Sequence, residues 1–246
     1  MNSDLGEPAG PVCCFMVLFA RTFSTAGAVL LLAIGWSQSA VAQLTSTPDA
    51  FSMRFSTAAL ERTKAHVIYD PAYRKLAYPG GDVPLDRGVG SDVVVRSYRA
   101  LGIDLQKLVH EDMRRSFRAY PKRWGLRRPD ASIDYRRVPN LRTFFKRHGQ
   151  MLELSADGRD YKPGDLVTWD IAKPFKQEEL IASLSSRRRK QRFAQTPHIG
   201  IISSKLSFDG KRPLVIHNIG AGTRLEDMLF NFRVTGHYRF QPKAAQ

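Results

Sequence analysis

The sequence predicts an α+β fold, with N-terminal helices packed on a C-terminal antiparallel sheet. Two observations predict it. Between residues 53 and 148 the apolar side chains recur at helical spacing, and between 166 and 240 they come in short β-branched or aromatic runs separated by turn residues. Helical segments followed by strand segments are the α+β pattern. A third observation restricts the chemistry. The 246 residues contain only Cys13 and Cys14, both near the start, so the folded part holds no disulfide scaffold and no cysteine-rich zinc site.

The elements follow in order. Residues 26–36 (AGAVLLLAIGW) form an apolar run with Arg21 before it and the small-x-small triplet Ala40-Val41-Ala42 after it. That is the pattern of a signal peptide, read as residues 1–42, with Met16 as a second candidate start that gives the usual signal length. The expectation is an exported chain, periplasmic or secreted, with no integral membrane span after cleavage. From Gln43 the chain would carry 37 basic and 21 acidic side chains, a net charge of +16, and no cysteine. Residues 43–52 read as a polar lead-in and 53–242 as a single domain.

Within that domain, 53–67 is expected to be helical, with Phe55, Ala59, Leu60 and Val67 near one face. The Tyr-, Pro- and Gly-rich stretch that follows reads as an ordered loop. A second helix, 91–101, starts with Ser91 and Asp92 as cap or first-turn residues and closes at Gly102. Asp104 opens a third, carrying Leu105, Leu108, Val109, Met113 and Phe117. Asn140 caps a fourth that ends at His148-Gly149. Strands are expected at 166–169, 199–202, 214–216 and 234–240. The basic segment 171–197 reads as an exposed insertion between the first two.

Two histidines, His198 and His217, fall in apolar strand segments. A lone histidine there is usually structural. Two on successive antiparallel strands can meet on one face, where one imidazole fixes the tautomer of the other. A zinc site from His198, His217 and His237 with Asp165 or Asp170 has no compact ligand spacing behind it, so no metal and no cofactor are assigned.

The motifs Tyr69-Asp70-Pro71-Ala72-Tyr73, Tyr78-Pro79-Gly80-Gly81-Asp82-Val83-Pro84, Asp86-Arg87-Gly88-Val89, His110-Glu111-Asp112-Met113, Tyr120-Pro121, Trp169, Pro197-His198-Ile199-Gly200 and His217-Asn218-Ile219-Gly220-Ala221-Gly222 occur in one order. Together they resemble the bacterial domain of unknown function 1287 family over roughly residues 55–240. That family is in turn distantly similar to papain-like, NlpC-type cysteine peptidases and amidases. The resemblance implies a papain-like fold, a thiol nucleophile at a helix N-terminus, His198 as general base and His217 as the orienting residue. Where the family usually has Gly-Val-Cys-Thr-Asp-Val-Val, this chain has Gly88-Val89-Gly90-Ser91-Asp92-Val93-Val94. Gly90 thus stands in the nucleophile position. Ser91 is displaced by about 100° around the helix and is better placed as a cap than as a substitute nucleophile. Asp92, Trp169 and Asn218, in the same motifs, are assigned to substrate contact.

Residues 114–147 hold twelve Lys/Arg and two Asp/Glu. Such a surface is either a solvated helix face or an attraction for an anionic partner. For an exported chain that partner would be peptidoglycan or another anionic envelope polymer. No nucleic-acid-binding motif accompanies the charge. The expected function is an envelope protein with an amidase- or peptidase-type site lacking its thiol; the alternative is a non-catalytic envelope-binding module.

Overall fold

The computed structural model describes residues 49–172 and 195–242. The expected signal segment, most of the expected lead-in and residues 173–194 of the expected insertion lie outside the described residues. The lead-in is shorter than expected. Asp49 accepts a hydrogen bond from the Ser52 amide (2.7 Å), and helix α1 begins at once, Ala50–Glu61. Phe55 and Ala59 are buried on its inner face. A short 3-10 turn then carries the chain out of the helix, so Val67 lies beyond it.

A two-residue strand β1 (Ile68–Tyr69) pairs in parallel with β2 (Arg87–Gly88) and delivers the chain to helix α2 (Gly90–Arg99). Val93, Val94 and Tyr98 of α2 are buried as expected. Gly102, at φ +77°, takes the left-handed conformation that ends the helix. Helix α3 (Leu105–Ser116) starts where Asp104 accepts from the Lys107 amide at 3.1 Å. Helix α4 (Val138–His148) starts earlier than its expected cap. Pro139 occupies the first turn, where a missing N–H costs nothing, and Asn140 lies inside the helix donating to the Asp134 carbonyl.

The sheet is six-stranded and antiparallel, ordered β3-β8-β4-β5-β6-β7. Its strands are β3 (Gln150–Met151), β4 (Leu166–Ala172), β5 (Gln195–Leu206), β6 (Pro213–His217), β7 (Arg224–Glu226) and β8 (Arg233–Arg239). Both ends of the expected insertion are strand: Ile171 pairs with Thr196 and Asp170 with Pro197, so the excursion is shorter than 171–197.

Side-chain alternation gives the sheet two apolar faces. Leu166, Ile199, Ile201, Ile216 and Tyr238 join one core with residues of all four helices. Val167, Trp169, Ile171, Ile202 and Val215 form a second cluster with Tyr161, Met228 and Leu229. The α+β class and the packing of N-terminal helices on the sheet are therefore as the periodicities predict. No helix among the described residues is long and apolar enough to cross a membrane.

Candidate active site

Helix α2 opens the site. Val89 has extended backbone and no side-chain acceptor, so the capping bond comes from the third helical residue. Asp92 Oδ2 accepts from the Val89 amide at 2.7 Å. A carboxylate in the first turn suits the positive end of the helix dipole. Asp92 is itself held by Arg136, whose Nε and Nη2 donate to its two oxygens at 2.8 and 2.9 Å. Both side chains of this pair are only 2% exposed. Arg136 also donates to the Ala72 and Asp70 carbonyls, tying the loop after β1 to the helix start. These bonds fully engage Asp92, which faces Arg136 and not the cavity, so its expected role in substrate contact is not supported.

Ser91 lies one residue inside the helix and is not its cap. Its hydroxyl donates to the Arg136 carbonyl at 2.7 Å and is buried there. With its proton committed to a backbone acceptor, it is not aligned on either histidine. The 100° offset expected for a residue following Gly90 accounts for this direction.

His198 (β5) and His217 (β6) are brought together. Ile201 stands opposite Ile216 and Ile202 opposite Val215, a register that makes the two histidines diagonal neighbours on one face. His198 Nε2 is 3.1 Å from His217 Nδ1. Gly200 makes this possible. A methyl group there would stand 2.7 Å from Val215 Cγ1 and 3.2 Å from His217 Cβ, so a side chain at 200 would crowd β6 where His217 stands.

Sequence reasoning missed the next member. Glu226, on the short strand β7, places Oε2 2.9 Å from His217 Nε2. The three-residue strand was too short to show a period-2 pattern, and no spacing links it to His217. The one legible signal was a carboxylate downstream of the paired histidines.

The network assigns the tautomers. The Glu226 carboxylate only accepts, so His217 Nε2–H donates to it. His217 Nδ1 then accepts from His198 Nε2–H, and His198 Nδ1 is left with a lone pair. That lone pair faces the start of α2. A methyl group on Gly90 would stand 3.2 Å from His198 Nδ1, 2.8 Å from His198 Cε1 and 2.8 Å from the Ile199 carbonyl oxygen. Gly90 is thus the residue that the His198 ring faces. The absence of a side chain lets the helix end approach β5 more closely than any other residue would.

Burial sets the protonation. Desolvation is the main reason that His198 is pushed down to about 3, with the neighbouring His217 adding to it. His217 is also lowered by burial, against the raising effect of Glu226. Both rings are neutral at pH 7.

Trp169 and Asn218 support the site from behind. Trp169 is directly opposite His198 across the β4–β5 pair, fully buried, with Nε1–H donating to the Leu229 carbonyl at 2.9 Å. Asn218 is also fully buried. Its amide donates to the Gly88 carbonyl at 3.1 Å, fixing the end of β6 to the strand that leads into Gly90. Burial keeps both away from a bound ligand, so their assignment as substrate contacts gives way to positioning. His237 is taken up elsewhere, by Asp165 at 2.8 Å, which Arg239 also holds. Among the described residues no group of three or more His, Cys, Asp or Glu is arranged to hold a metal ion.

A cavity of about 550 Å³ opens at Gly90, Ser91 and His198. Its other walls include Tyr69, Tyr73, Arg123, Trp124 and Arg137. The first amides of a helix have no intrahelical acceptor, so the α2 terminus points donors and a positive dipole end toward this space. That is the environment an oxyanion requires.

Residues 56–240 match the family model described as "Domain of unknown function (DUF1287)". The Escherichia coli (strain K12) "Uncharacterized protein YijF" is 46% identical over 189 residues, covering 77% of this chain and 82% of that protein. Among solved structures, NlpC1 from Trichomonas vaginalis is similar at 14% identity with a TM-score of 0.40. The alignment covers 81% of this chain and 47% of the other, so this chain spans about half of that protein's length. The chain belongs to the DUF1287 family.

Proposed function

We propose that this member of the DUF1287 family is an exported envelope protein whose cavity binds an amide substrate at a hydrolase-type site lacking its nucleophile. The observation that carries the reading is the placement of Gly90. Its missing side chain would lie 3.2 Å from the free nitrogen of His198, at a helix N-terminus, with His217 and Glu226 continuing the chain of hydrogen bonds behind it. A thiol on that carbon would face the His198 lone pair at the positive end of the helix dipole, the arrangement of thiol-based acyl transfer. Glycine supplies no atom to be acylated.

Two features favour binding over turnover in the natural chain. His198 is held neutral far below neutral pH, so it is a weak base for activating water. The helix end also sits close enough to β5 that the nucleophile's space is partly closed. Amide recognition survives both, because it uses the helix amides and the cavity walls. The substrate class that follows is peptide or peptidoglycan stem, in keeping with the signal-peptide pattern of residues 26–42.

The test is a paired digestion. The natural chain, Gly90→Cys and Gly90→Cys with His198→Ala are incubated with purified peptidoglycan fragments, and products are read by mass spectrometry. The expected result is product from Gly90→Cys alone, lost when His198 is replaced. Product from the natural chain would overturn the assignment of Gly90 as the empty nucleophile position. So would no product from a Gly90→Cys protein that melts cooperatively. Export is checked separately, by sequencing the N-terminus of the released chain for cleavage after Ala42.

A further inference from the structure

The cavity that His198 lines has a composition that the site chemistry leaves unexplained. Tyr69, Tyr73 and Trp124 line it and remain 38%, 58% and 37% exposed. Large rings left in water around one concavity mark a binding surface more often than an accident of packing. Two cations stand among them. Arg137 lies with its guanidinium carbon 4.1 Å from the Trp124 ring centre, and one of its nitrogens donates to Asp134 at 3.0 Å. Held between a ring and a carboxylate, the guanidinium loses much of its freedom while keeping N–H donors to spare. Arg123 is exposed beside it. It belongs to the stretch 114–128, which has seven Lys/Arg, all exposed, and no Asp or Glu. Asp92, the carboxylate at the cavity's helix end, is neutralised by Arg136. With Asp92 paired to Arg136 and Asp134 to Arg137, Arg123 leaves the cavity lining with a net positive charge.

We propose that this wall is a carboxylate-recognition subsite, and that the ligand is an extended peptide with an acidic side chain next to the amide presented to His198. The carboxylate would be bound by Arg123 and Arg137, and the adjoining apolar atoms by Tyr73 and Trp124. The inference rests on the reading of the cavity as an amide site. It adds the charge of the neighbouring residue and the side chains that read it.

The experiment uses the full chain and two fluorescently labelled synthetic peptides of equal length, one with Glu beside the central amide and one with Gln. Binding is followed by anisotropy across a salt series. A charge-assisted contact to an oriented guanidinium is worth about tenfold in affinity, so the Glu peptide should bind about tenfold more tightly. The preference should shrink as salt screens the exposed Arg123. Arg123→Gln changes an exposed side chain and should remove most of the preference without lowering the melting temperature. Trp124→Ala should weaken both peptides alike. Equal binding of the two peptides, or a preference that survives Arg123→Gln, would overturn the proposal. So would acidic-peptide binding that is indifferent to Trp124→Ala, which would place it on the basic stretch outside the cavity.

The outcome is separable from the amide reading. Gly90→Cys that cleaves Glu and Gln peptides equally refutes the carboxylate subsite and leaves the amide site standing. A bound acidic peptide that Gly90→Cys never cleaves does the reverse.

Discussion

Replacing Gly90 by cysteine tests the geometry of the site before any substrate is known. The new Cβ would stand 2.8 Å from both His198 Cε1 and the Ile199 carbonyl oxygen, closer than real contacts allow. One of those atoms belongs to strand backbone in the middle of the sheet, so the helix end must move by several tenths of an ångström. Overpacking of this kind costs about 1–3 kcal/mol. For a domain of this size each kcal/mol lowers the melting temperature by about 2–4 °C.

The same variant gains a thiol between a helix N-terminus and an imidazole lone pair. The helix end contributes about 0.3–1 kcal/mol toward the thiolate. Proton transfer to His198 would add a contact ion pair worth about 4 kcal/mol at an effective dielectric of about 20. Moving the proton from a thiol near about 8.5 to an imidazole near about 3 costs about 7–8 kcal/mol, so the pair stays neutral and the thiol proton rests against the imidazole lone pair. The thiol should therefore titrate no more than about one unit below its usual value of about 8.5, by the helix contribution alone. Iodoacetamide alkylation rates across pH read this directly; a midpoint several units below about 8.5 that rises on His198→Gln would refute the burial of His198 as a neutral ring.

Two other predictions follow from the same network. Gly200→Ala places a methyl group 2.7 Å from Val215 Cγ1 and 3.2 Å from His217 Cβ, so it should cost about 1–3 kcal/mol in chemical denaturation and displace the second imidazole. A Gly200→Ala chain with an unchanged denaturation midpoint would refute this close approach of β5 to β6. The second concerns pH. His198 is neutral in the folded state down to about 3, whereas the unfolded chain binds its proton near 6.5. The unfolded state then holds more protons in that window, so stability is fully present above about pH 6.5 and falls as pH drops toward 3. His217, lowered in the same direction, adds to the loss. Urea midpoints measured across the window should fall, and His198→Gln should flatten the slope; an unchanged slope would mean that His198 is not buried neutral.

The helices were legible because their signals are local. Asp104 caps α3 and Gly102 ends α2 through bonds and dihedral angles set within a few residues. The paired histidines were legible for a related reason: alternation along two neighbouring strands is enough to put His198 and His217 on one face. Boundaries were less so. Asn140 is a good cap by type, yet Pro139 started the helix before it.

The roles of Asp92, Ser91, Trp169 and Asn218 were not legible, because each is decided by a partner far away in sequence. Arg136 is 44 residues from Asp92, and Gly88 is 130 residues from Asn218. Glu226 escaped notice because β7 exists only by pairing with β6. Residue types and their short-range spacing alone determined the α+β class and the two strand histidines, while the reading of Gly90 as a nucleophile position came from the family resemblance. The closeness of Gly90 to His198, the hydrogen-bond chain from His198 through His217 to Glu226 and the aromatic, cationic lining of the cavity were decided by tertiary structure, since each depends on which distant backbone segments burial brings together.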